Sequence, residues 1–220
     1  MSRTALPATT SAAAVLAVGL SFVAVFDLGP LSTHMALHIA LMNVVAPLAA
    51  VLLARKAVPR LSGAATLWAL AAIQIVLLWM WHAPSLQREV MQSLVVQAVM
   101  HASLFLIALW FWRALLQLSA VASWQTIPVL LFTGKLACLL AALLIFAPRL
   151  LYAVPAHTHN HAAGYWALTP LADQQLAGLL MIAACPLSYL IAGVIFAAQR
   201  IADLEHISTT SRSRPFSAAK

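Results

Sequence analysis

Charge is what this sequence has least of. Its 220 residues carry 12 lysines and arginines against 5 aspartates and glutamates, 8% in all, where an ordinary soluble domain carries about 25%. With 64% apolar residues and a mean hydropathy of +0.96, the shortage excludes a soluble domain and leaves an integral membrane protein. Cysteine is scarcer still. Cys138 and Cys185 lie far apart, each inside an apolar run, and form no C-x-x-C motif, which excludes a disulfide framework. A buried free cysteine usually behaves as a small inert hydrophobe, so both stay outside the site. No Ser-His-Asp ordering, phosphate loop or paired-carboxylate arrangement is present, and the chain is therefore read as a non-enzyme. Internal repeats and low-complexity tracts are absent too.

What is present is a series of apolar runs. Six of them, about 9–29, 31–53, 64–83, 90–112, 126–147 and 171–198, are long enough to cross a bilayer, which takes roughly 20 residues per helix. They are continuously apolar rather than alternating over ~10 residues, so they predict helices and not barrel strands. The expected fold is an all-α, polytopic transmembrane bundle of about six spans, with residues 1–200 as one helical domain and 201–220 as a short basic cytoplasmic tail. Pro47 and Pro186 fall inside spans, where neighbouring helices can satisfy the freed backbone groups. The first run follows Arg3 as a signal peptide would, but no A-x-A cleavage site closes it.

In a membrane protein the first use of basic residues is orientation, which takes priority over nucleic-acid binding as the meaning of the net charge of +7. A cytoplasmic N-terminus puts Arg3, Arg55, Lys56, Arg60, Arg113, Arg200, Arg212, Arg214 and Lys220 on the inner side, nine residues against Arg88 and Arg149 outside. Lys135 remains within the fifth span. The positive-inside rule then gives both termini to the cytoplasm and no nucleic-acid partner.

This topology sends seven of the eight histidines to the outer face or into the membrane, leaving His206 cytoplasmic. His34 and His38 open the second span one turn apart on one face, the spacing by which a helix offers two imidazoles to one ion. Met35 and Met42 flank that stripe, and thioethers with imidazoles suit soft Cu(I). His82 closes the third span beside Trp79 and Trp81, indoles that an interfacial aromatic belt explains equally well. His101 lies in the fourth span, one turn after Gln97, with Met91 and Met100 nearby. Ionisable residues within spans mark sites facing the bundle interior by default. Counting depth at 1.5 Å per residue puts His101 roughly 16 Å and His38 roughly 10 Å below the outer end, with His34 and His82 near the surface. On that count one ion collects all four only if helices tilt or start deeper, and a two- or three-ligand site or a relay at different depths fits as well.

Asp173 opens the sixth span, either as an anion at its own helix N-terminus or as a carboxylate ligand or partner of an imidazole. Asp27 has the same two readings, with the helix-end one preferred. Gly178 allows close approach of another helix. The outer loop His157-Thr158-His159-Asn160-His161 has a metal-capturing composition, and is otherwise a solvated polar loop.

His34-Met35 with His38 and Pro47, then Trp81-His82-Ala83-Pro84, then His101 with Trp110-Phe111-Trp112, and finally Asp173-Gln174 with Gly178, together resemble the CtaG family of cytochrome c oxidase assembly proteins. The likeness runs from about residue 31 to 198. It implies a multi-pass protein of the bacterial plasma membrane that helps mature a heme–copper oxidase, with oxidase subunits as partners and copper as the metal delivered or inserted. It also implies that His34, His38, His82, His101 and Asp173 are the polar residues of interest; Met35 joins them as a metal ligand from its place in the stripe.

Two other classes compete. A b-type cytochrome would ligate haem between two imidazoles at matched depth, with His38 and His101 the nearest pair, but two histidines one turn apart leave one idle. A transporter or ion-conducting protein would use Lys135 and the helices broken at Pro47 and Pro186, although Lys135 can equally snorkel to the cytoplasmic interface.

Overall fold

The computed structural model describes residues 29–54, 63–152 and 168–212, and every long element in it is helical. The run at 9–29, with Asp27, and the His157–His161 loop lie outside the described residues. Five helices are long and apolar enough to cross a membrane, spanning Pro30–Ala54, Ala64–Trp81, Leu94–Ser119, Trp124–Phe146 and Pro170–Ala202. They correspond to the second through sixth expected spans.

The first is built in three parts: α1 (Pro30–Ala40), a π-helical turn (Leu41–Val45) and α2 (Ala46–Ala54). Pro47 gives a reason for the wide turn. In the π pattern the Ala46 N–H bonds the Leu41 carbonyl five residues back; the next bond would run from residue 47 to Met42, and proline has no N–H to give. The orphaned Met42 carbonyl instead accepts a hydrogen bond from Trp112 Nε1 at 3.0 Å.

After α3 (Ala64–Trp81) the chain turns at His82 into a separate short helix, α4 (Pro84–Gln92), with Pro84 at its first position. Ser93 is extended, and only then does α5 (Leu94–Ala122) begin. The span expected at 90–112 is therefore corrected to Leu94–Ser119. Val90 and Met91 belong by composition to an apolar run, but they sit on the polar connecting helix with Gln87, Arg88 and Glu89. A short 3₁₀ turn leads to α6 (Thr126–Phe146), and α7 (Pro170–Arg212) closes the bundle.

Packing follows the small residues. The longest contact is between α6 and α7, with α1 also against α7, α2 against α5, and α3 against both α5 and α6. A Cβ on Gly178 would lie 2.8 Å from Ile145 Cγ1 and 2.9 Å from the Ala141 carbonyl oxygen, so the lack of a side chain lets α7 lie directly on α6. Ala137, Ala141 and Ala177 are buried in the same core, while Val76, Leu131, Leu139, Leu190 and Val194 point outward. That apolar exterior is what a bilayer would solvate.

The starts of α1, α5 and α7 and the ends of α3 and α6 share one end of the bundle, because successive spans alternate in direction. At that end Asp173 of α7 meets α1. Gly29 precedes Pro30 and has no side chain with which to cap the helix. Asp173 takes that place, accepting hydrogen bonds from Leu31 N at 2.9 Å (Oδ2) and from Ser32 N at 3.0 Å (Oδ1). The Ser32 hydroxyl also donates to Asp173 Oδ1. Gly29 has an ordinary extended conformation, so space alone demands glycine: a Cβ there would fall on the Asp173 carboxyl group.

Candidate functional site

Four imidazoles from three helices meet at this end. Their rings form a connected row, His101–His34–His38–His82, with centroids 5.2, 5.6 and 5.2 Å apart and every contact edge to face. His34, His38 and His82 are buried, and His101 is partly so. The depth expectation is thereby corrected. His101 lies seven residues into α5 rather than eleven into a longer span, roughly 10 Å down, and His38 lies eight residues into α1, roughly 12 Å down. The two are level once the connecting helix α4 is removed from the count.

Backbone carbonyls one turn earlier fix two of the rings. His82 Nδ1 lies 2.6 Å from the Leu78 carbonyl oxygen, and His101 Nδ1 lies 2.8 Å from that of Gln97. A carbonyl only accepts, so each Nδ1 carries the proton, and in the neutral ring Nε2 is then a bare lone pair. A hydrogen-bonded Nδ1–H with Nε2 left open is the arrangement that orients metal-ligating histidines. The His82 Nε2 lone pair faces Met35 Sδ at 3.3 Å, two soft donors pointing at one another with no proton between them. His101 Nε2 has no hydrogen-bond partner, nor has either nitrogen of His34 or His38. His38 does lie near the His34 carbonyl one turn back, short of a good hydrogen bond.

Five buried ring nitrogens without partners are unusual, since each such group left unsatisfied costs about 1–3 kcal/mol. Met35, which lies against His82, is fully buried, as is Met100, the residue before His101. In the edge-to-face arrangement, among the described residues, no group of three or more His, Cys, Asp or Glu side chains is placed to hold a metal ion directly.

Of the sequence-predicted residues, His34, Met35, His38, His82 and His101 are brought together. Asp173 is not among them. Its carboxylate is engaged at the N-terminus of α1, so it is an anion at a helix start, but of a helix whose bonded residues lie 141 and 142 positions away in sequence rather than its own. Its effect on the site is indirect, through the helix that carries His34 two residues after Ser32. Trp81 donates from Nε1 to Ser103 Oγ at 3.0 Å and so joins α3 to α5 instead of serving only as an interfacial indole.

Tyr152 escaped the sequence reading. Its hydroxyl donates to the His82 carbonyl oxygen at 2.9 Å and pins the turn that presents this ring. Burial pushes its pKa up, which keeps the hydroxyl proton in place as a donor. No local pattern signals this role, because Tyr152 follows Pro148 and Arg149 in a loop whose partner lies 70 residues earlier.

These features define a class: a multi-pass helical membrane protein with a buried imidazole and thioether cluster at one end. The chain belongs to the family described as cytochrome c oxidase caa3 assembly factor (Caa3_CtaG), which it matches over residues 2–203. Nothing among curated proteins or solved structures matches it. Family membership and the apolar helices make it a multi-pass protein of the bacterial inner membrane, with a role in cytochrome oxidase assembly rather than in catalysis.

Proposed function

We propose that the chain receives Cu(I) at the imidazole cluster and passes it to a heme–copper oxidase during assembly, with oxidase subunits as its partners. Copper here is cargo. The observation that carries the reading is the set of five buried imidazole nitrogens with no partner, beside a His82 lone pair facing Met35. An apolar bundle has no reason to retain these groups unless something occupies them, and neutral imidazole with thioether is a donor set for a soft univalent ion. His34, His38, His82, His101 and Met35 would hold the ion, after the rings turn from edge-to-face contact into a converging arrangement. Metal analysis of the detergent-purified chain together with its visible spectrum tests this reading.

The orientation belongs to the same proposal. Nine basic residues against two favour cytoplasmic termini, which turns the cluster end outward and has copper enter from outside the cell. Reporter fusions after Lys56 and at residue 160 are expected to report cytoplasm and exterior respectively, since three spans separate them. The same side for both would overturn the orientation. A C-terminal fusion should also read cytoplasmic.

A further inference from the structure

Just past His38 on the way into the bundle lies a small, largely enclosed cavity that the imidazole cluster does not account for. Among the residues lining it are His38, Met42, Gln74, Met181, Cys185 and Tyr189. Its volume is about 10 Å³, space for one small ion or at most a single water. All six residues are buried, with His38, Gln74 and Met181 at 1% exposure.

Two features point to an occupant. Gln74 donates from Nε2 to Tyr189 Oη at 2.9 Å, while its Oε1 has no partner; His38 lines the same space with both nitrogens unpartnered. Around these stand three sulfur-bearing residues, Met42 from the first span and Met181 and Cys185 from α7. Gln74 Oε1 and the His38 ring would give a water two partners; what sets this lining apart is its sulfur, with unprotonated, polarisable thioethers on Met42 and Met181 and a thiol on Cys185. Cys185 Sγ is further held by Asn43, whose Nδ2 donates to it at 3.6 Å while Asn43 Oδ1 accepts from Ser188 Oγ at 3.0 Å. Met42 comes from the π-helical turn, an irregularity often found at functional positions.

We propose that the cavity beneath His38, walled by Met42, Met181 and Cys185, is a second binding site for a soft univalent metal ion, about one helical turn deeper than the imidazole cluster. Thioether and imidazole donors take such an ion without first losing a proton, and His38 stands on the boundary between the two sites. The proposal rests on the copper reading of the imidazoles only for the direction from which the ion arrives.

The test uses the full chain in detergent, titrated with Ag(I) as a redox-inert probe and examined by X-ray absorption for sulfur scattering. The wild type is expected to bind about two equivalents, and M42L/M181L, a volume-conserving change, about one with most of the sulfur scattering gone. H34N/H101N should keep the sulfur-bound equivalent. Unchanged stoichiometry and unchanged sulfur scattering in M42L/M181L would overturn the proposal. If the wild type binds a single equivalent, its survival in H34N/H101N and loss in M42L/M181L supports the cavity and removes the imidazole reading, and the reverse pattern does the opposite.

Discussion

His38→Asn is expected to lower the Cu(I) affinity of the purified chain on the order of 100-fold, since one ligand is lost and an amide does not replace a neutral imidazole toward a soft ion. The fold should tolerate the change. His38 makes no formed side-chain hydrogen bond that the substitution would break, and asparagine is no larger than the ring it replaces. Cells carrying the variant should make normal amounts of the chain and of the oxidase polypeptides, yet show low oxidase activity that added copper partly restores. His206→Asn, near the far end of α7, serves as the control and should change nothing. Full activity and parental copper binding in His38→Asn would mark this histidine as a packing residue.

Asp173→Ala should act through the scaffold instead. It strands the Leu31 and Ser32 N–H groups in a buried setting, while the Ser32 hydroxyl keeps the main-chain carbonyl of residue 173 as its acceptor, a loss of about 3 kcal/mol. Asp173→Asn is expected to rescue little, because an amide presents two hydrogens where two backbone N–H groups both need an acceptor. Gly29→Ala should reproduce the defect from the other side by filling the space the carboxyl group occupies. The check is thermal denaturation in detergent, with copper binding measured alongside. If all three variants melt like the wild type, the carboxylate does not anchor α1 and the ligand reading of Asp173 returns.

The contrast between these two residues shows what was legible in the sequence. Continuous hydrophobicity gave four of the five described spans to within a few residues at both ends, and the i,i+4 spacing placed His34 and His38 on one face with Met35 beside them. These are properties of a single helix. The level of His101 is not legible in the sequence, because apolar counting cannot see that Pro84–Gln92 folds as its own polar connector, which moves the start of the next span by four residues and its histidine by roughly 6 Å. Asp173 and Tyr152 depended on partners 141 and 70 residues away, and no periodicity encodes a contact at that range. Cys185 was set aside by its usual inertness; only its neighbours across the cavity, Met42, Gln74 and Met181, give it another use.

The most direct test of the central claim is the metal content and visible spectrum of the chain purified in detergent from copper-replete cells. Copper in roughly stoichiometric amount, with no Soret band, and its loss when His34, His38, His82 and His101 are replaced together, is the result expected of an imidazole cluster that carries this ion. A Soret band without copper would contradict the account and assign the same histidines to haem.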